Sequence, residues 1–190
     1  MDGPKAATTF RTLEKIMKYV CLLRGINVGG KNKLAMSSLV ALFESMGFTN
    51  VLSYINSGNI IFQADTPPSE QAIQTHIQQS FGITIAVLVL SANQIISIAE
   101  AIPEGWVNDE HQKTDVLYLF HDIDDANMTM KIGYNMAIET ALYVPGAVVW
   151  NIARQYQSRS GLKKMISTPL YDKVTIRNVT TARRLADLCR

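Results

Sequence analysis

Apolar and polar residues alternate with two different periods along the first half of the chain, and the order of these periods is regular. Nearly continuous apolar or β-branched runs predict strands, and apolar residues spaced three and four apart predict helices. The predicted elements are a strand over 19–26, a helix over 36–46, strands over 51–56 and 59–64, a helix that opens at 67–70, and a strand over 84–90. This β-α-β-β-α-β order is that of a ferredoxin-like unit.

The second half of the chain nearly repeats the same order. A helix over 91–102, capped by Ser91, and a polar connection over 103–113 separate the two parts. The predicted elements that follow are a strand over 114–120, a weak helix over 124–132, a hairpin of 141–144 and 148–153 around Pro145-Gly146, a short helix over 161–166 and a final helix over 180–188 capped by Thr180. We therefore predict an α+β fold of two tandem ferredoxin-like (βαββαβ-type) halves with mainly antiparallel sheets, although no sequence repeat links them.

These patterns divide the chain into four parts. Residues 1–16 are predicted to be a leader or disordered extension, 17–102 the first half, 103–113 the connection and 114–190 the second half.

Composition narrows the class of protein and its compartment. The 190 residues carry a formal charge of +2 and are 47% hydrophobic, which is typical of a globular protein and does not by itself imply a nucleic-acid or membrane partner. Cys21 and Cys189 form no disulfide framework, which predicts a reducing cytoplasm. No apolar run is long enough to span a bilayer, and 1–16 lack the apolar region of a signal peptide.

The most unusual stretch follows the first predicted strand and has the sequence R-G-I-N-V-G-G-K-N-K at 24–33. From Gly25 to Lys31 it fits G-x-x-x-x-G-K, most of a P-loop. However, Asn32 stands where a P-loop has Ser or Thr, the next helix starts only near 36, and the following hairpin indicates an antiparallel sheet. We therefore expect no nucleotide-hydrolysing P-loop here. A plain glycine corner remains the simplest alternative.

Topology favours a binding role for this loop. A right-handed crossover makes the first strand parallel to the strand at 51–56, so the end of the first strand and the 56–59 turn lie at one end of the sheet. Cations, amides, a hydroxyl and glycine backbone would meet there and would suit a phosphate or another anion. The candidate residues in these two segments are Arg24, Asn27, Gly29, Gly30, Lys31, Asn56, Ser57 and Asn59.

Three motifs carry a resemblance to a known family. L-L-R-G-I-N-V-G-G-K-N, Y-I-N-S-G-N-I-I-F at 54–62 and T-I-R-N at 175–178 resemble the mostly bacterial domain-of-unknown-function family numbered 1697. The resemblance covers about 17–190. It departs at the third motif, where the family often has a Trp and this chain has Val179.

The resemblance implies paired ferredoxin-like halves and supplies no activity. It adds a third segment, because Arg177, Asn178 and Thr180 at the mouth of the last helix would face the same site. A helix cap with a surface ion pair is the alternative for these residues. We call the three segments 24–31, 56–59 and 177–180 the rim.

The sequence leaves the function open among several classes. The preferred hypothesis is binding of a phosphate-bearing or otherwise anionic ligand at the rim, such as a nucleotide, a metabolite or a nucleic-acid backbone. One alternative is an enzyme that acts on a phosphorylated small molecule, with an Asp or Glu of 103–113 as general base. A protein-interaction module without a ligand site and a single-stranded RNA binder are further alternatives. No cofactor is expected, and the histidines share no metal-ligand spacing.

Overall fold

The computed structural model describes residues 16–29 and 32–190. The first half of the chain begins with a central strand and alternates helices with a hairpin. Its elements are β1 (Met17–Leu23), α1 (Met36–Ser45), β2 (Thr49–Tyr54), β3 (Asn59–Ala64), α2 (Glu70–Phe81), β4 (Val87–Ser91) and α3 (Ala92–Glu100). The predicted order of these elements is confirmed. Most of the predicted extension, residues 1–15, lies outside the described residues.

The second half repeats the succession, with much shorter helices in the places of α1 and α2. Its elements are β5 (Gln112–Leu119), α4 (Met128–Ile132), β6 (Glu139–Val144), β7 (Ala147–Ala153), α5 (Leu162–Met165), β8 (Val174–Asn178) and α6 (Val179–Cys189). Three 3-10 segments connect them, at His121–Ile123, Arg154–Arg159 and Pro169–Lys173. The weak helix predicted over 124–132 is confined to the five residues of α4.

The strands form two four-stranded sheets in a mixed α+β fold. The strand order is β2-β3-β1-β4 in one sheet and β6-β7-β5-β8 in the other, and every neighbouring pair is antiparallel. β1 and β2 both run antiparallel to β3, which lies between them, so they point the same way as predicted. Their carboxyl ends therefore lie at one edge of the first sheet.

Successive side chains on the central strands are buried in different hydrophobic cores. On β1, Cys21 and Leu23 pack beneath α1 and α2, whereas Val20 and Leu22 face the second half. The far face of the second sheet packs around Trp150 with α4 and α5. Because side chains alternate across a strand, each sheet is buried on both faces.

The core between the two sheets is built by both halves. It contains Leu88 and Ile95 from the first half and Tyr118, Val149 and Leu185 from the second. Helices α3 and α6 contact each other within it. Burying this apolar surface holds the halves together, at roughly 25 cal/mol for each Å² removed from water.

Two details at the end of the chain differ from the sequence analysis. The sequence pattern did not locate a strand before the last helix, but Val174–Asn178 pair with β5 as an edge strand. The last helix begins at Val179, and its N-cap is Asn178 rather than Thr180. Within the part of the chain that is described, no helix combines the length and apolarity needed to cross a membrane.

Candidate functional site

The three segments of the rim converge where the two sheets meet. Leu23 N donates to Gly58 O at 2.8 Å, which ties the end of β1 to the hairpin turn. Arg177 on β8 donates to the same Leu23 and Gly58 carbonyls, at 3.0 and 3.2 Å. The hairpin turn itself needs a glycine, because a Cβ on Gly58 (φ +76°) would lie 2.8 Å from Leu23 Cβ and Ile26 Cγ1.

Asn27 holds the glycine-rich loop in shape. Its Oδ1 accepts from Leu34 N at 2.8 Å, and its Nδ2 donates to Leu34 O and Asn56 O at 2.9 and 3.0 Å. Its backbone is left-handed, with φ +54°, a conformation that Asn tolerates better than most residues. The Asn27 side chain therefore serves the loop and leaves little hydrogen-bonding capacity for a ligand.

Arg177 and Asn59 form a buried pair beneath the rim. Arg177 is 7% exposed and Asn59 is fully buried, and the guanidinium Nε donates to Asn59 Oδ1 at 2.6 Å. The Asn59 Nδ2 donates in turn to Tyr54 O and Ser57 Oγ, each at 3.0 Å. The pair thus connects β8 to the hairpin of the other half.

All five N–H groups of Arg177 are hydrogen-bonded, and every acceptor is neutral. The acceptors are Asn59 Oδ1, Thr175 Oγ1 and the carbonyl oxygens of Leu23, Gly58 and Ile176. No carboxylate contacts this guanidinium among residues 16–29 and 32–190. Burial lowers the pKa of Arg177 to about 10, so the side chain still carries its charge at neutral pH.

Asn178 acts as a helix cap. Its side-chain oxygen accepts from Thr181 N at 2.8 Å, which satisfies one free amide at the start of α6. This is the structural alternative that sequence analysis considered for it. Gly29 is exposed with φ +59°, and Gly30 and Lys31 lie outside the described residues.

Two clefts adjoin the described residues of the rim. The first, which we call the helix cleft, has a volume of about 390 Å³ and lies at the start of α1. It is lined by Asn27, Lys33, Leu34, Ala35, Met36 and Asn56. The second, which we call the arginine cleft, has a volume of about 330 Å³ and lies between the two halves. It is lined by Arg24, Gly25, Val28, Ser57, Tyr171, Val174, Thr175, Ile176 and Arg177.

Arg24 lies at the mouth of the arginine cleft in a fixed orientation. Its Nε donates to Val174 O at 3.1 Å, and its Nη2 donates to Asp172 Oδ1 at 2.9 Å. The guanidinium also lies over the Tyr171 ring, 4.8 Å from the centroid. An arginine has five N–H groups. Two of those of Arg24 donate in these contacts, and the other three are left for a ligand. Its side chain is 25% exposed and lines the cleft, so it can contact a ligand there.

Sequence analysis missed the part of this cleft that comes from the 3-10 segment before β8. Tyr171 and Asp172 fix Arg24, and Thr175 links Arg177 to the cleft wall. No local motif marks Tyr171 or Asp172, whereas Thr175 is the first residue of the T-I-R-N motif. The contacts of Arg24 with this segment span about 150 positions along the chain and exist because the two halves pack against each other.

The carboxylates of 103–113, one of which the enzyme alternative used as general base, do not line the arginine cleft. Asp109 in the connection accepts from the His111 and Gln112 amides at 2.8 Å each, and these bonds lower its pKa. Among the described residues, the lining of the arginine cleft includes no carboxylate from 103–113. Nor do these residues contain a cluster of three or more His, Cys, Asp or Glu side chains that could hold a metal ion.

Comparison with known proteins assigns the family. The family described as "Protein of unknown function (DUF1697)" matches residues 16–150, well over half of the chain, and the chain belongs to it. The matched stretch includes the glycine-rich loop and the hairpin motif and ends before Arg177 and Asn178.

A solved structure is similar over nearly the whole length. The conserved bacterial protein SP0830 from Streptococcus pneumoniae has a TM-score of 0.75 and 26% sequence identity, and the match covers 92% of this chain and 99% of that one. No protein with a curated description matches.

Proposed function

We propose that this protein binds a small phosphate-bearing anion in the arginine cleft. The observation that carries the proposal is the arrangement of two arginines there. Arg24 is fixed with three N–H groups left over, and the buried Arg177 behind it has only neutral acceptors. A fixed guanidinium suits a phosphate because it offers several donors in one plane.

The electrostatics of the cleft support an anionic ligand. The charge of Arg177 is not neutralised by a contacting carboxylate in the described part of the chain, and charges in a low-dielectric surrounding act more strongly than in water. Asp172 pairs with Arg24, but its side chain is 74% exposed. Such an exposed pair contributes about 0–1 kcal/mol, so a phosphate can displace the carboxylate at small cost.

We also propose a finer description of the fold and a compartment for the protein. Each half is a ferredoxin-like unit, an interpretation supported by the recurrence of strand order β2-β3-β1-β4 as β6-β7-β5-β8. The protein works in a reducing cytoplasm, an interpretation supported by Cys21 and Cys189, which are both free thiols.

Thermal unfolding with ribose 5-phosphate at constant ionic strength tests the anion site. At a concentration one hundred times its dissociation constant, a ligand adds about 2.7 kcal/mol to the free energy of unfolding. For a chain of this size that corresponds to a rise in melting temperature of roughly 5–10 °C. We expect this rise in the wild type and its loss in Arg24→Gln.

Lys33→Gln is the matched control, because it removes the same charge from the helix cleft. It should keep the rise in melting temperature. Loss of the rise in Lys33→Gln alone would place the anion in the helix cleft and contradict the proposed location. No rise in the wild type with any phosphate would contradict the proposal as a whole.

A further inference from the structure

The arginine cleft has donors for one phosphate group. Arg24 supplies three N–H groups, and the Ser57 hydroxyl, which accepts from Asn59 Nδ2, keeps its own proton to donate. The remaining lining is of a different character. Its apolar or aromatic members are Val28, Tyr171, Val174 and Ile176, and Gly25, Thr175 and Arg177 complete it.

The apolar part of the cleft indicates a ligand with more than a phosphate. Val28 is 62% exposed at the cleft, and a ligand that covers it removes apolar surface from water. The guanidinium of Arg24 lies over the ring of Tyr171, 4.8 Å from its centroid, and both side chains line the cleft. Flat heteroaromatic groups bind well against aromatic rings and guanidinium planes. The ligand therefore combines one phosphate with a flat, largely apolar body.

The size of the cleft agrees with this combination. Its volume of about 330 Å³ lies at the lower end of the roughly 300–1,000 Å³ that is usual for small-molecule sites. Inorganic phosphate would leave most of this volume empty. A nucleic-acid backbone would need donors for several successive phosphates, and the cleft has donors for one.

We propose that the ligand is a nucleoside monophosphate, with its phosphate on Arg24 and Ser57 and its base against Tyr171 and Val28. This inference rests on the proposed function, since it names the class of ligand for the same cleft. The apolar and aromatic contacts would favour a ligand with a base over a sugar phosphate, and Arg24 would favour a nucleotide over an uncharged nucleoside.

Isothermal titration calorimetry at constant ionic strength tests it. The probes are the 5′-monophosphates of adenosine, guanosine, cytidine and uridine, together with ribose 5-phosphate, adenosine and a ten-residue oligouridylate. We expect at least one monophosphate to bind roughly tenfold more tightly than ribose 5-phosphate, because stacking of one base commonly contributes that much.

Tyr171 variants separate a stacking role from a structural one. Tyr171→Ala should bring the ratio of nucleotide affinity to ribose 5-phosphate affinity down to about one, because the ring that the base contacts is gone. Tyr171 also helps to fix Arg24, so both affinities fall and their ratio is the quantity to compare with wild type. Tyr171→Phe keeps the ring and should restore nucleotide binding. Tyr156, which stacks with Arg159 at 4.9 Å, is the matched control, and Tyr156→Ala should bind like wild type.

The possible failures are distinguishable. Equal affinity for ribose 5-phosphate and every nucleotide would overturn the nucleotide assignment and leave the anion site intact. Absence of binding by all phosphates, or adenosine binding as tightly as its monophosphate, would overturn the anion site as well. Tighter binding of the oligouridylate, with a steep dependence on salt, would replace the nucleotide by a single-stranded RNA.

Discussion

At the scale of single residues, the polar side chains of the rim divide into structural and accessible groups. In the structural group, the described hydrogen bonds are all made to other groups of the protein; its members are Asn27, Asn59 and Arg177. Arg24 and Ser57 keep unused donors and line the arginine cleft. All five residues belong to the sequence motifs, and the motifs do not separate the two groups. A buried polar residue that holds the fold together and a residue that binds a ligand use the same hydrogen-bonding groups.

Arg177→Met should destabilise the protein strongly. The substitution keeps much of the side-chain volume but leaves several buried acceptors without donors, among them Asn59 Oδ1 and Gly58 O. We expect a loss of about 2–4 kcal/mol in the free energy of unfolding, measured by urea denaturation.

The control for this variant is Arg184→Met, at an exposed position on α6. Surface substitutions usually change the free energy of unfolding by no more than about 0.5 kcal/mol. If Arg177→Met cost less than about 1 kcal/mol, the guanidinium would not be the clamp between the halves that its hydrogen bonds indicate.

At the scale of elements, β8 and α6 show why local sequence was insufficient. β8 has only five residues, pairs on one side with β5 and runs directly into α6. A short edge strand gives a weak period-two pattern, because five residues contain only two or three positions on each face. Thr175 and Arg177 occupy such positions, and both are buried only because the first half covers them.

Asn178→Ala should reveal the true start of α6. The Asn178 side chain caps the helix by accepting from Thr181 N, and loss of an N-cap costs about 1 kcal/mol. Thr180→Ala, at the cap that sequence analysis predicted, should change the free energy of unfolding by less than about 0.5 kcal/mol. Equal losses in the two variants, or a larger one at Thr180, would contradict the observed cap.

At the scale of the whole molecule, the two halves share one core. Val20 and Leu22 from β1 pack with Tyr118 and Leu185 from the second half, so neither half has its central sheet covered on both faces alone. The arginine cleft lies at the border of this shared core. Its geometry therefore depends on how the halves are packed.

Both halves should unfold in one transition. The tryptophans, Trp106 and Trp150, contact the shared core and the core of the second sheet, whereas far-ultraviolet circular dichroism reports on both halves. We expect the urea transitions followed by tryptophan fluorescence and by circular dichroism to coincide. Two separate steps in circular dichroism would show that the halves are independently stable.

Sequence alone determined what depends on neighbours along the chain. Apolar periodicity gave the strands and helices of the first half, the Ser91 cap of α3 and the hairpin at Pro145-Gly146. Right-handed crossover geometry placed the glycine-rich loop and the predicted 56–59 turn at the same end of the sheet, because this rule follows from backbone chirality. Motifs alone indicated the family.

Only the tertiary structure decided which polar groups are buried and which remain accessible. Arg177 became a clamp and Arg24 a candidate ligand contact through packing between segments about 150 residues apart. Tyr171 and Asp172 entered the site by the same packing. The physical reason is that burial and hydrogen-bond partners are properties of surfaces brought together in space, and residue order constrains these only where the chain is locally continuous.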